Sequence, residues 1–112
     1  MNIRFATRDD LLQWWGRVPS TMRALVVEQD SRVLGVAGLA IMPDHIQAFS
    51  SFKDELRAHP FVLAKAAVLF KAMLADAAGP VLAMCNENEP TAPGLLTKLG
   101  FTAGPDGVWR HG

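Results

Sequence analysis

The sequence predicts a single α/β (α+β) domain, and three observations carry that prediction. Three β-forming segments between Met22 and Phe52 are joined by turns too short for parallel crossovers, so they form an antiparallel meander. A long apolar stretch beginning at Pro60 has the length of a helix and leads straight into the buried-strand run Val81-Leu82-Ala83-Met84. From end to end the elements follow the order β-α-β-β-β-α-β-α-β-β, with no repeat, linker or low-complexity tract to divide them. A chain of 112 residues has room for one core, so residues 1–112 are expected to fold as one domain.

Each element has its local reason. Asn2 to Thr7 reads as a strand in which Ile3 and Phe5 alternate with polar neighbours. Thr7 then caps a helix, with Asp10 three residues on closing a short capping box. Leu11, Trp15 and Val18 share a face of that helix, which is expected to stop at Val18-Pro19. Of the pair Trp14 and Trp15, helical spacing sends only one fully inward, and the expectation is Trp15 in the core with Trp14 partly exposed. Met22 to Gln29 is the next strand, Asp30-Ser31-Arg32 a turn, and Val33 to Ile41 the returning strand. Met42-Pro43-Asp44 turns the chain again into His45 to Phe52.

The polar stretch Lys53 to His59 precedes Pro60, which suits the first turn of a helix. That helix is expected to run to Ala78 and end at Gly79; being apolar around much of its circumference, it should pack hard against a sheet. Pro80 to Cys85 follows as a buried strand. Thr91 is placed to cap a last helix, Ala92 to Leu99, closed by Gly100. Phe101 to His111 then forms two short strands about Gly104-Pro105-Asp106-Gly107, where Asp-Gly is a hairpin signal.

Composition removes several function classes. Eleven basic residues balance eleven acidic ones, and no basic face can be traced, which argues against a nucleic-acid partner. Lys65, Lys71 and Asp76 interrupt the longest apolar segment, so no membrane span is expected. The single Cys85 precludes an intramolecular disulfide framework and fits a reducing compartment; with no signal peptide visible, the protein reads as cytoplasmic. His45, His59 and His111 are scattered, with no Cys/His ligand spacing for a metal.

The element order, taken with the segment Ala92-Pro93-Gly94-Leu95-Leu96-Thr97-Lys98-Leu99-Gly100-Phe101, resembles the GNAT superfamily of acyl-CoA-dependent N-acetyltransferases. Members close with a helix of the pattern Asn-x-x-Ala-x-x-Leu-Tyr-x-Lys-Leu-Gly-Phe. In this chain Leu95 and Leu99 are read as the buried i, i+4 pair, Gly100 as a left-handed cap and Phe101 as the start of a core strand. The opening Ile3-Arg4-Phe5-Ala6-Thr7 followed by Asp9-Asp10 is similar to the superfamily's first strand and helix. The ending Gly107-Val108-Trp109-Arg110 is similar to short GNAT-like proteins encoded by tailed bacteriophages, for which host cytoplasm or virion is the implied location.

The resemblance implies a mixed, largely antiparallel sheet with helices on both faces, and acetyl-CoA held between two splayed strands. The superfamily motif Arg/Gln-x-x-Gly-x-Gly/Ala supplies backbone N–H groups to the pyrophosphate at a helix N-terminus. Its counterpart is Arg57-Ala58-His59-Pro60-Phe61-Val62, giving Arg57, His59, Phe61 and Val62 as cofactor-binding candidates. Pro60 and Val62 stand where small residues belong: proline lacks an N–H, and a β-branched side chain crowds the approach. The alternative is that Lys53, Asp54, Glu55 and Arg57 form only a solvated loop. Asn88 is a further cofactor contact if the family register shifts by one residue; otherwise it makes an Asx turn or helix entry.

For the chemistry, the resemblance implies a backbone amide near Phe52 that polarises the thioester carbonyl. Glu28, Asp44 and His45 are base candidates by their place on the meander. The superfamily's tyrosine acid has no counterpart, since the chain holds no tyrosine and Leu96 stands there. Cys85 has no local histidine to generate a thiolate and is read as a core cysteine. Two functions follow: transfer of an acetyl group from acetyl-CoA to an amine acceptor, or a non-catalytic GNAT-fold binding or assembly protein. Trp109 on the last strand is read as an interface residue, compatible with a homodimer or another protein partner.

Overall fold

The computed structural model describes residues 1–17, 21–84 and 92–112. Its elements are β1 (Asn2–Phe5), α1 (Arg8–Trp15), β2 (Met22–Gln29), β3 (Arg32–Ile41) and β4 (Ile46–Phe52). A 3-10 helix (Asp54–Ala58), α2 (Pro60–Ala75), β5 (Val81–Met84), α3 (Ala92–Lys98), β6 (Thr102–Ala103) and β7 (Val108–His111) complete it. The strands make one seven-stranded sheet in the order β1-β2-β3-β4-β5-β7-β6. Neighbours are antiparallel except β4 and β5, which α2 joins as a parallel pair.

Strand alternation sorts the core into two layers. On β2, Leu25 faces Leu39, Phe70, Met73, Leu74, Val81, Leu99 and Phe101, the side covered by α2 and α3. Its neighbours Ala24 and Val26 face Leu11 and Val36, with Trp14, Trp15 and Phe49 packed around them, the side covered by α1. Helices therefore lie on both faces, as the resemblance implies, and the central strands read as continuous apolar runs because both faces are buried.

The capping box at Thr7 is present in both directions: Asp10 N–H donates to Thr7 Oγ1 at 3.3 Å and Thr7 N–H to Asp10 Oδ2 at 2.7 Å. α1 ends earlier than expected. Gly16 takes φ 75° and donates its N–H to Leu12 O at 2.7 Å, stopping the helix after two turns. Val18 and Pro19, the expected stop, lie outside the described residues, as do Cys85, Asn88 and Thr91. The two tryptophans are both half-buried against β4, so neither fills the core alone. Phe5 is more than half exposed, because β1 is an edge strand that α2 does not reach across to cover.

The connection between β4 and α2 is helical rather than open loop. Leu56 is 1 % exposed and anchors it. A Cβ on Gly35 would stand 2.9 Å from Leu56 Cδ2 and 3.0 Å from Phe52 Cβ, so the absence of a side chain on β3 is what admits this anchor. α2 ends at Ala75 with Asp76 as its cap, one turn before Gly79. It also packs on one side only. Phe70, Met73 and Leu74 are buried against the sheet, as expected of a helix that packs on it, while Phe61 is 90 % and Val68 70 % exposed.

At α3 the inward-facing pair is Leu96, partly buried, and Leu99, buried, not Leu95 and Leu99; Leu95 is 46 % exposed. The cap explains the choice. Phe101 N–H donates to Leu96 O at 2.9 Å and Gly100 N–H to Thr97 O at 3.0 Å, with Gly100 at φ 95°. That is the Schellman pattern, in which the residue after the glycine packs on the residue five before it, here Phe101 on Leu96. Trp109 is half-buried against the same core layer, which removes the exposed interface residue the sequence suggested.

Candidate functional site

The parallel pairing of β4 with β5 covers only Ile46 with Val81 and Gln47 with Leu82. From Ala48 to Phe52, β4 continues paired to β3 alone among the described residues, while β5 runs on to Met84 without pairing to it. The two strands part there as the start of a wedge; residues 85–91 lie outside the described ones. Ladder alternation decides what faces the wedge. Lys53 N–H donates to Leu34 O at 2.8 Å, so the next residue in register, Phe52 opposite Gly35, turns its N–H away from β3. Ser50, two residues back, does the same.

At the wide end of the wedge stands the start of α2. The Phe52 ring carries the Arg57 guanidinium at 5.1 Å, and Arg57 Nε donates to Asp54 Oδ1 at 3.4 Å. The first helical turn offers few donors. Pro60 has no N–H, Val62 N–H and Leu63 N–H both donate to His59 O at 3.1 and 3.2 Å, and His59 N–H donates to Leu56 O at 3.0 Å. Phe61 N–H is what remains, beneath a ring that is almost wholly exposed. His59 supplies no side-chain cap.

On the α1 side of β4, Trp14 Nε1–H donates to Ser51 Oγ at 3.3 Å, and Lys53 Nζ lies 5.8 Å from the centre of the Trp14 ring. Trp15 meets Phe49 edge-on at 5.6 Å. Spacing in the sequence does not reveal this lining, because it depends on α1 crossing over β4.

Among solved structures, the chain is similar to the ribosomal-protein-S18-alanine N-acetyltransferase from Escherichia coli. The TM-score is 0.64 at 12 % identity, covering 97 % of this chain and 88 % of that one. It is also similar to a putative GnaT-family acetyltransferase from Bordetella pertussis, with a TM-score of 0.60 at 17 % identity over 94 % of this chain and 71 % of that one. No family model matches the sequence, and no curated protein matches it either. This is the GNAT fold.

Within that fold the predicted site residues separate into two groups. Phe52, Arg57, His59, Phe61 and Val62 lie together where β4 ends and α2 begins. The base candidates do not join them. His45 is at the other end of β4, about 23 Å from Phe52 at ~3.3 Å per residue, beside the closed end of the wedge. Its Nδ1 is 2.6 Å from Asp44 Oδ1 and its Nε2 3.3 Å from Gln47 Oε1; the Asp44 carboxylate raises its pKa, and the imidazolium in turn lowers that of Asp44. Glu28 is at the Phe52 end but two strands away, with its carboxylate taken by Arg4 at 3.0 and 3.2 Å. Arg4, and after it Asn2, hold Glu28 below the usual carboxylate range.

The fit of a CoA diphosphate can be judged from the donors. A GNAT-fold helix start that cradles a pyrophosphate presents several N–H groups, whereas this one presents that of Phe61 alone. That is fewer backbone donors than such a cradle supplies. The Phe52 and Ser50 amides point from β4 to the side on which β5 parts from it. Leu96, standing where the superfamily carries its acid, is packed under Phe101 and serves the helix cap.

Proposed function

We propose that this chain transfers an acetyl group from the thioester of acetyl-CoA to an amine. The observation that carries the reading is the wedge: β4 leaves β5 after Gln47 and directs the Phe52 N–H into the gap, on a GNAT fold. A backbone N–H so placed hydrogen-bonds a thioester oxygen more strongly as negative charge develops on it. The amine proton passes to solvent, because neither Glu28 nor His45 reaches Phe52 and no tyrosine exists to protonate the thiolate. A thiol is a fair leaving group, so slow turnover is the expected consequence.

The second reading is a non-catalytic GNAT-fold binding or assembly protein, and three residues favour it: Pro60, Val62 and Leu96. The two readings part on one measurement. Acetyl-CoA at millimolar concentration should raise the melting temperature, since a ligand of the native state alone stabilises it by about 2.7 kcal/mol at a hundred times its Kd. Arg57→Ala should abolish most of the shift. Thiol release on adding amines supports transfer; a melting point unmoved by saturating acetyl-CoA overturns acetyl-CoA as the donor.

A further inference from the structure

The outer side of α2 is built unlike a solvent face. On a helical wheel Phe61, Lys65, Val68, Ala72 and Ala75 form one strip opposite the buried Phe70, and all five are exposed. Lys71 flanks the strip. The helix contains no acidic residue, and neither lysine has a carboxylate partner among the described residues. Lys65 and Lys71 lie beside Phe61 and Val68, with Asp76 only beyond Ala75 at the far end, and this part of the ridge suits a surface that is apolar and acidic.

A second copy of this chain is a poor occupant. The strip runs from 61 to 75, so a two-fold pairing centres on Val68 and sets Lys65 against Lys71 of the copy, twice over. The strip is, however, continuous with the site, because Phe61 belongs both to it and to the first turn of α2. That turn has one free amide, too few for a diphosphate and enough for one oxygen of a single phosphate.

We propose that the preferred acyl donor is a thioester on the phosphopantetheine arm of an acidic carrier protein, whose helix docks along the Phe61–Val68 ridge. The inference rests on the thioester-transfer reading and changes the donor. The arm carries one phosphodiester instead of the diphosphate and third phosphate of CoA, matching the single amide. The carrier's carboxylates meet Lys65 and Lys71, and its apolar side chains cover Phe61 and Val68. Transfer breaks the thioester C–S bond and forms the acceptor's amide C–N bond; the amine loses a proton to solvent and the thiolate leaves on the carrier arm.

Three donors separate the possibilities, each titrated against the intact chain by calorimetry: acetyl-CoA, free acetyl-phosphopantetheine, and an acidic acyl carrier protein bearing an acetyl group. The expected result is carrier binding at least about tenfold tighter than either small donor, weakening with salt. In Lys65→Glu/Lys71→Glu, whose substitutions are on the surface, the ratio of carrier to acetyl-phosphopantetheine affinity should fall toward one. If acetyl-CoA binds as tightly as the carrier, or the double variant keeps the ratio, the donor inference is overturned while the transfer reading stands. If none of the three binds, both are overturned.

Discussion

Arg4 does the most to join separate parts of the chain at the level of single residues. Its guanidinium donates to Asp10 Oδ2 at 2.6 Å and Oδ1 at 3.0 Å, and to both Glu28 oxygens, tying α1 and β2 to β1. Asp10 is 8 % exposed and also accepts from Thr7, so one carboxylate closes the helix cap and half of the ion cluster. Arg4 first, and Thr7 after it, hold Asp10 well below the usual carboxylate range. Its stabilising contribution is therefore complete above the unfolded carboxylate pKa of about 3.9 and is lost as pH falls toward the lower folded value. Asp10→Asn should cost about 1–3 kcal/mol at pH 7, the loss of a charged hydrogen-bond partner and a cap. The gap between variant and wild type, read from urea midpoints, should narrow as pH is lowered from 5 to 2. A constant gap would show that the charge contributes nothing.

Among the elements, α3 shows how a cap sets the face of a helix. Heptad-like spacing makes Leu95 and Leu99 equivalent, yet the Schellman bonds at Gly100 bring Phe101 onto Leu96 and roll Leu95 outward. Leu99→Ala should cost about 2–5 kcal/mol, whereas Leu95→Ala should stay within ~1 kcal/mol, both measured by chemical denaturation. Equal losses would mean that the face was assigned wrongly. α2 is the opposite case. Its composition is apolar around much of its circumference, but the sheet buries only the side bearing Phe70, Met73 and Leu74.

For the molecule as a whole, the site is a by-product of where pairing stops. Seven strands form one sheet, but β4 and β5 share only two register pairs, and the crossing α2 must begin at the wide end of the gap. Gly35 couples the two, because Leu56 sits over it and carries the 3-10 helix that holds Arg57 beside Phe52. Gly35→Ala should destabilise the fold by about 1–3 kcal/mol and reduce the acetyl-CoA-induced rise in melting temperature. A variant that binds as wild type would show that Arg57 does not need this anchor. No helix among the described residues is long and apolar enough to cross a membrane.

The element order, the Thr7 cap, the meander, the Pro60 helix start and the Gly100 cap were all legible in the sequence, because each depends on residues within a few positions of one another. So was the shortage of backbone donors at the start of α2, since proline lacks its N–H in any fold. Local signals did not determine which face of α3 turns inward, how little of α2 the sheet covers, or that Glu28 is taken by Arg4 and His45 stands at the far end of β4. Those depend on register and on crossings between elements distant in the chain. Only the tertiary structure decided them, because side-chain partners across a sheet are set by strand pairing and not by spacing.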